Sequence, residues 1–204
     1  MKRNTANKIL DTATSLFAEL GFENVTINLL AQTANVNSAA ISYYFGSKET
    51  LYQMILDNQF SPALQALREV EASFNLTATE HLLDYVEVIA AVRRKQSYLA
   101  SLWHYEINRH DAVQKSFVVK VVKEYIVQLY QYIFSALCHG ISQKEFLSTV
   151  DPYCTASVLL EMMHAPYIPA SLLTEQTLSV QDKRKDYTVQ ATYHYLQGIR
   201  RIPL

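Results

Sequence analysis

From Ile9 to Leu20 the apolar residues fall at steps of three and four: Ile9, Leu10, Ala13, Leu16, Phe17 and Leu20. Side chains so spaced gather on one face of a helix and cannot line one face of a strand. The same spacing returns in Leu82, Leu83, Val86 and Ile89. It returns again in Val113, Phe117, Val121, Tyr125 and Leu129, beside a second stripe of Val118, Val122, Ile126 and Ile133. No two-residue alternation competes with it, and no internal repeat or low-complexity tract interrupts it. The pattern predicts an all-α fold.

Capping residues divide this pattern into helices. Gly21 stands where a left-handed cap would close the first helix. Thr26 can cap a second, Asn37 or Ser38 a third, and Ser47 a fourth that carries Leu51 and Ile55. Ser61-Pro62 offers a cap with proline at the first helical position, predicting a new helix there. Thr77-x-x-Glu80 is a capping box. Helix is expected from Ser97 to Asn108. The longest helix should run from Asp111 to Cys138-His139-Gly140, and the next should open at Asp151-Pro152. A loop is predicted over 166–179, and a last helix from about Asp182 to Ile199.

Composition excludes several classes. A chain of 204 residues that is half hydrophobic can bury a core, and a net charge of −1 gives no general pull towards polyanions. No apolar run is long enough to span a membrane and no signal-peptide pattern opens the chain, so a cytoplasmic protein with no membrane partner is expected. Two cysteines, Cys138 and Cys154, form no metal framework. His104 and His110 lie six apart and do not share a helix face. Four scattered glycines build no phosphate loop. No nucleophile–base pair or paired carboxylates emerge, so neither an enzyme nor a cofactor is predicted.

Residues 27–46 carry the functional signal. A helix-turn-helix needs a small residue where its helices cross, supplied by Ala31. Four positions on, its turn needs a residue tolerant of left-handed backbone, supplied by Asn35. Leu30, Ala34, Val36 and Ile41 fall where such a motif buries apolar side chains. The helix from Ser38 to Tyr44 would then offer Ser38, Ala39, Ser42 and Tyr43 to the major groove of double-stranded DNA. An alanine methyl can meet a thymine methyl, and the hydroxyls of Tyr43 and Tyr44 can donate to phosphates.

The stretches Ile9-Leu10-Asp11, Leu16 to Phe22, Thr26, Ala31 and Ile41-Ser42-Tyr43-Tyr44-Phe45-Gly46-Ser47-Lys48-Glu49 resemble the N-terminal domain of the tetracycline-repressor (TetR) family. The resemblance covers about the first 56 residues. It implies a head over residues 1–46 and a ligand-binding and dimerisation domain over 47–204. It also implies a homodimeric regulator, usually a repressor, released from a palindromic operator by a small-molecule effector. Phosphate contacts at Thr26 and Lys48 follow from the resemblance. Asn35 departs from the family's usual turn glycine, and Asn28 stands where a basic residue is common. Residues 1–56 hold four basic and four acidic side chains, so few phosphate charges are available.

Tyr85, Trp103, Tyr105, Phe117 and Tyr125 sit on helices that the resemblance places around the effector cavity. Tyrosine supplies an apolar wall with a polar tip, suited to a mostly apolar ligand with one or two polar groups. Val158, Leu159, Met162 and Met163, with Tyr187, Tyr193, Tyr195 and Leu196, are expected to build a four-helix interface with a second copy. The competing functional class is a ligand-independent or partner-controlled DNA-binding protein, which a completely filled C-terminal core would favour.

Overall fold

A computed structural model describes residues 2–71, 76–107, 120–164 and 187–201. Its helices are α1 (Lys2–Asn24), α2 (Ile27–Thr33), α3 (Ser38–Phe45), α4 (Lys48–Glu71), α5 (Ala78–Lys95), α6 (Leu99–Ile107), α7 (Lys120–Ser142), α8 (Pro152–His164) and α9 (Tyr187–Ile199). Among the described residues the fold is all-α, with one isolated antiparallel bridge between Phe146 and Arg200. None of these helices is long and apolar enough to cross a membrane. The Asp111 cap, the loop at 166–179 and the start of the last helix at Asp182 lie outside the described residues.

The chain forms two compact units, Met1–Pro62 with Gln96–Tyr125, and Ala63–Lys95 with Ile126–Leu204. In the first, α1 turns Ile9, Ala13 and Phe17 fully inward, as their spacing requires. Thr26 caps α2 by accepting from the Leu29 amide at 3.1 Å. Asn37, rather than Ser38, caps α3, accepting from the Ala39 amide at 2.9 Å. Ser47 does the same for α4 through the Thr50 amide at 3.1 Å.

Of two expected boundaries, one holds and one does not. The first helical run breaks at Gly21, which takes φ 77° and ψ 163°, and helix resumes beyond it to Asn24. α4 does not restart at Ser61-Pro62; it runs unbroken through Pro62. Proline has no N–H to give the carbonyl four residues back, that of Asn58. The Gln96 amide group donates to this carbonyl instead, at 3.3 Å. A side chain 38 positions along thus replaces the missing helical bond, which local sequence does not reveal.

In the second unit the capping box at α5 forms as predicted. The Thr77 amide donates to Glu80 at 2.7 Å, and the Glu80 amide donates to the Thr77 hydroxyl at 3.2 Å. Glu145, far along the chain, accepts from the Ala78 and Thr79 amides at 2.9 and 3.0 Å. Arg93, buried, donates to the Met163 carbonyl and the Thr188 hydroxyl, each at 3.0 Å, tying α5 to α8 and α9. α7 passes its expected end at Gly140 and finishes at Ser142. Gly140 is needed for space rather than as a cap: a β-carbon there would collide with the Phe146 ring and Ala78. Asp151 caps α8, accepting from the Tyr153 and Cys154 amides at 2.8 and 3.0 Å.

Candidate nucleic-acid interface

The helix-turn-helix is built from three small facts of the first unit. Ala31 is buried where α2 and α3 meet. Asn35 takes φ 49°, the left-handed conformation that only glycine adopts more readily. The Val36 amide then closes the turn onto the Ala31 carbonyl at 2.9 Å. Leu30, Ala34, Ile41 and Phe45 fill the space behind.

This leaves one face of α3 open. Ser38, Ala39, Ser42 and Tyr43 are exposed, Tyr43 by 72%. They sit at positions one, two, five and six of the helix, a single face. The ring of Tyr43 stands edge-on to that of Tyr44, with centroids 5.1 Å apart. Tyr44 is half-buried and Thr26 is exposed. Each hydroxyl is a donor that a phosphate or base edge can accept from.

Lys48, half-exposed, also has partners within the protein. Its ammonium donates to the carbonyls of Phe22 and Val25, each at 3.0 Å, and stands 4.1 Å from the centre of the Phe22 ring. Two of its three N–H bonds are therefore committed within the protein. Tyr52, one turn further along α4, packs on Phe17 and Phe22 with centroids 4.7 and 4.9 Å apart. Its hydroxyl donates to the buried Glu106 carboxylate at 2.8 Å.

The corner between α1 and α2 is held from α6 as well. The Tyr105 hydroxyl donates to the Glu19 carbonyl at 2.7 Å, and its ring lies on Gly21. A β-carbon at Gly21 would come within 2.8 Å of that ring, so the missing side chain makes the contact possible. This grip on the corner, from Lys48, Tyr52 and Tyr105, was invisible in the sequence, where none of the three stands near its partner.

The residues expected around an effector are divided between the two units. Trp103 and Tyr125 are buried in the first unit, edge-on at 5.7 Å, and Tyr125 meets Phe60 at 5.2 Å. That is core packing, and Tyr105 serves the α1 corner. Tyr85 belongs to the second unit, beside a cavity. Phe117 lies outside the described residues.

Residues 9–55 match the model of the bacterial regulatory proteins of the tetR family. The head is of the TetR type. Over 177 residues, 86% of this chain and 83% of the other, it is 25% identical to the probable HTH-type transcriptional regulator YttP of Bacillus subtilis (strain 168). Over 47 residues it is 36% identical to IcaR of Staphylococcus aureus (strain Newman), an HTH-type negative transcriptional regulator of the biofilm operon icaADBC. That match spans 23% of this chain and 25% of IcaR. The crystal structure of a γ-butyrolactone receptor (ArpA-like protein) shares the fold, with a TM-score of 0.70, 17% identity and coverage of 98% and 90% of the two chains. The similarity is thus to transcriptional regulators with a helix-turn-helix DNA-binding head, and not to enzymes.

Proposed function

We propose that this chain is a TetR-family regulator, a homodimeric repressor that binds a palindromic operator and leaves it when a small molecule binds its C-terminal part. The observation that carries the DNA-binding part is the single exposed face of α3, set on a turn whose left-handed residue is Asn35. In this reading Ser38, Ala39 and Ser42 meet base edges, while Thr26, Tyr43 and Tyr44 donate to phosphates.

Pairing is supported by apolar surface on the last two described helices. Tyr153 and Val158 on α8 and Tyr193 on α9 are exposed by 63, 43 and 46%. Large apolar side chains left open in this way call for a partner surface. Leu159 and Met163, assigned to the interface from their spacing, are fully buried within the subunit instead. Negative control is supported by the likeness to IcaR, and a ligand by the fold shared with a γ-butyrolactone receptor.

The switch follows from the grip on the α1–α2 corner. A ligand can shift operator affinity only by favouring a state in which the recognition helix is placed differently. The corner immediately precedes Thr26, the cap of α2, so whatever moves α4 or α6 moves the reading head through Lys48, Tyr52 and Tyr105.

Selection from a pool of random duplexes, followed by gel-shift titration, tests the proposal. A two-fold repeat with half-sites one helical turn apart, roughly 34–36 Å, is expected. Enrichment of a single unrepeated half-site, with one subunit bound, would sink the dimeric reading.

A further inference from the structure

The helix-turn-helix carries no charge at all. From Asn24 to Ser47 the sequence has no acidic or basic side chain, a span that takes in α2, the turn and the whole of α3. In the major groove guanine offers two acceptors, which an arginine or lysine holds together, and cytosine offers an amine, which a carboxylate accepts. Neither kind of partner stands on α2 or α3. Lys48, the first cation after them, donates to the carbonyls of Phe22 and Val25.

Adenine is held in a comparable way by an amide that donates and accepts at once. α3, with the sequence Ser-Ala-Ala-Ile-Ser-Tyr-Tyr-Phe, has no asparagine or glutamine. Asn37, its cap, already accepts from the Ala39 amide at 2.9 Å and the Ser38 hydroxyl at 3.5 Å, which fills both lone pairs of its amide oxygen. Asn28 and Gln32 are exposed but belong to α2, and the first helix of such a motif crosses the backbone without entering the groove.

What the open face of α3 does offer is hydroxyls and a methyl. Ala39 is exposed, and Ser42 and Tyr43 follow it three and four residues on, along the same side of the helix. A serine hydroxyl donates or accepts, so it suits every base pair and selects little. An alanine methyl is more selective, because thymine is the one base with a methyl in the major groove. Ala40, half-buried beside it, adds no long side chain to hold the first turn of α3 away from the groove floor. Contact between methyls needs that closeness, since dispersion fades over a gap of an ångström or less.

We propose that α3 reads its half-site by thymine methyl groups, with Ala39 as the specificity-determining residue, and makes no paired hydrogen bond to guanine. This rests on the operator-binding reading above and adds which base is read and by what group.

The operator recovered from the random pool is resynthesised with deoxyuridine in place of each thymidine in turn, which removes one methyl and leaves the protein untouched. Gel-shift titration of the full-length protein should find a thymine in each half-site whose methyl is worth about fourfold in affinity, as expected of one buried methyl group. Ala39→Gly should lose a similar factor on the parent operator and no longer distinguish thymine from uracil at that position. Circular dichroism confirms that this variant is folded. An operator indifferent to every replacement, or one whose affinity falls instead when guanine loses its N7 acceptor, would overturn the proposal and leave operator binding standing. Discrimination retained in full by Ala39→Gly would overturn the role of Ala39. A pool that yields no preferred duplex would remove the operator reading, and this proposal with it.

Discussion

The hydroxyl of Tyr105 meets the backbone carbonyl of Glu19 at 2.7 Å, joining α6 to the end of α1 directly over the one residue, Gly21, that has no side chain to obstruct it. Tyr105→Phe should lower stability by about 1 kcal/mol, the worth of one hydrogen bond. Gly21→Ala should cost more, since it adds a collision with the ring to a backbone, φ 77° and ψ 163°, that is open essentially only to glycine. Chemical denaturation of both variants checks the order. A Gly21→Ala protein as stable as the parent would mean that the contact is slack.

Lys48 offers a cleaner separation of roles. With its ammonium on the carbonyls of Phe22 and Val25, Lys48→Met should destabilise the protein by about 1–3 kcal/mol, while the slope of operator affinity against salt stays put. A slope shallower by about one unit would instead put the ammonium on a phosphate. Gel shifts across a salt series distinguish the two.

On α8 the neighbours Val158 and Leu159 should answer a charge in opposite ways. Val158 is 43% exposed and Leu159 fully buried. Val158→Glu should dissociate the proposed dimer and leave helical circular dichroism unchanged. Leu159→Glu should unfold the protein, because a buried carboxylate has no partner there. Sedimentation read beside circular dichroism decides the matter; a dimeric Val158→Glu protein would place the interface elsewhere.

The start of α5 gives a pH dependence. Two hydrogen bonds from Thr77 hold the Glu80 carboxyl below its ordinary range, so the ionised form is the one the fold prefers. Its contribution is present above the pKa of the unfolded carboxyl and is lost as pH falls through the lowered folded value. The difference in melting temperature between parent and Glu80→Gln should therefore shrink on acidification. A difference constant from neutral to acid pH would contradict this. Glu145→Ala should cost about 1–2 kcal/mol at neutral pH through the two amides it leaves open.

What the chain declared in advance was local. Thr26, Asn37, Thr77 with Glu80, and Asp151 act on amides two or three residues away, so their meaning lies in adjacent sequence. Ala31 and Asn35 were legible for the same reason. The misread features all depend on a distant partner. Ser61-Pro62 looked like a helix start because nothing nearby announces that Gln96 serves the orphaned Asn58 carbonyl. Lys48 was expected at a phosphate and Tyr105 around an effector cavity; that both donate to backbone carbonyls far off in sequence could not be read from their neighbours. Spacing put Leu159 on an apolar face without saying whether that face meets its own subunit or another.

The commitment of Lys48 reaches beyond the architecture of the head. Residues 1–56, with as many acidic as basic side chains and one of their four cations, Lys48, bonded to carbonyls of the protein, would release few counterions on meeting an arbitrary duplex. Bulk chromosome then competes weakly for the protein, and few copies are lost to sites that carry no message. A cell could keep such a regulator scarce and still have its target occupied, so that small changes in its abundance register directly in transcription.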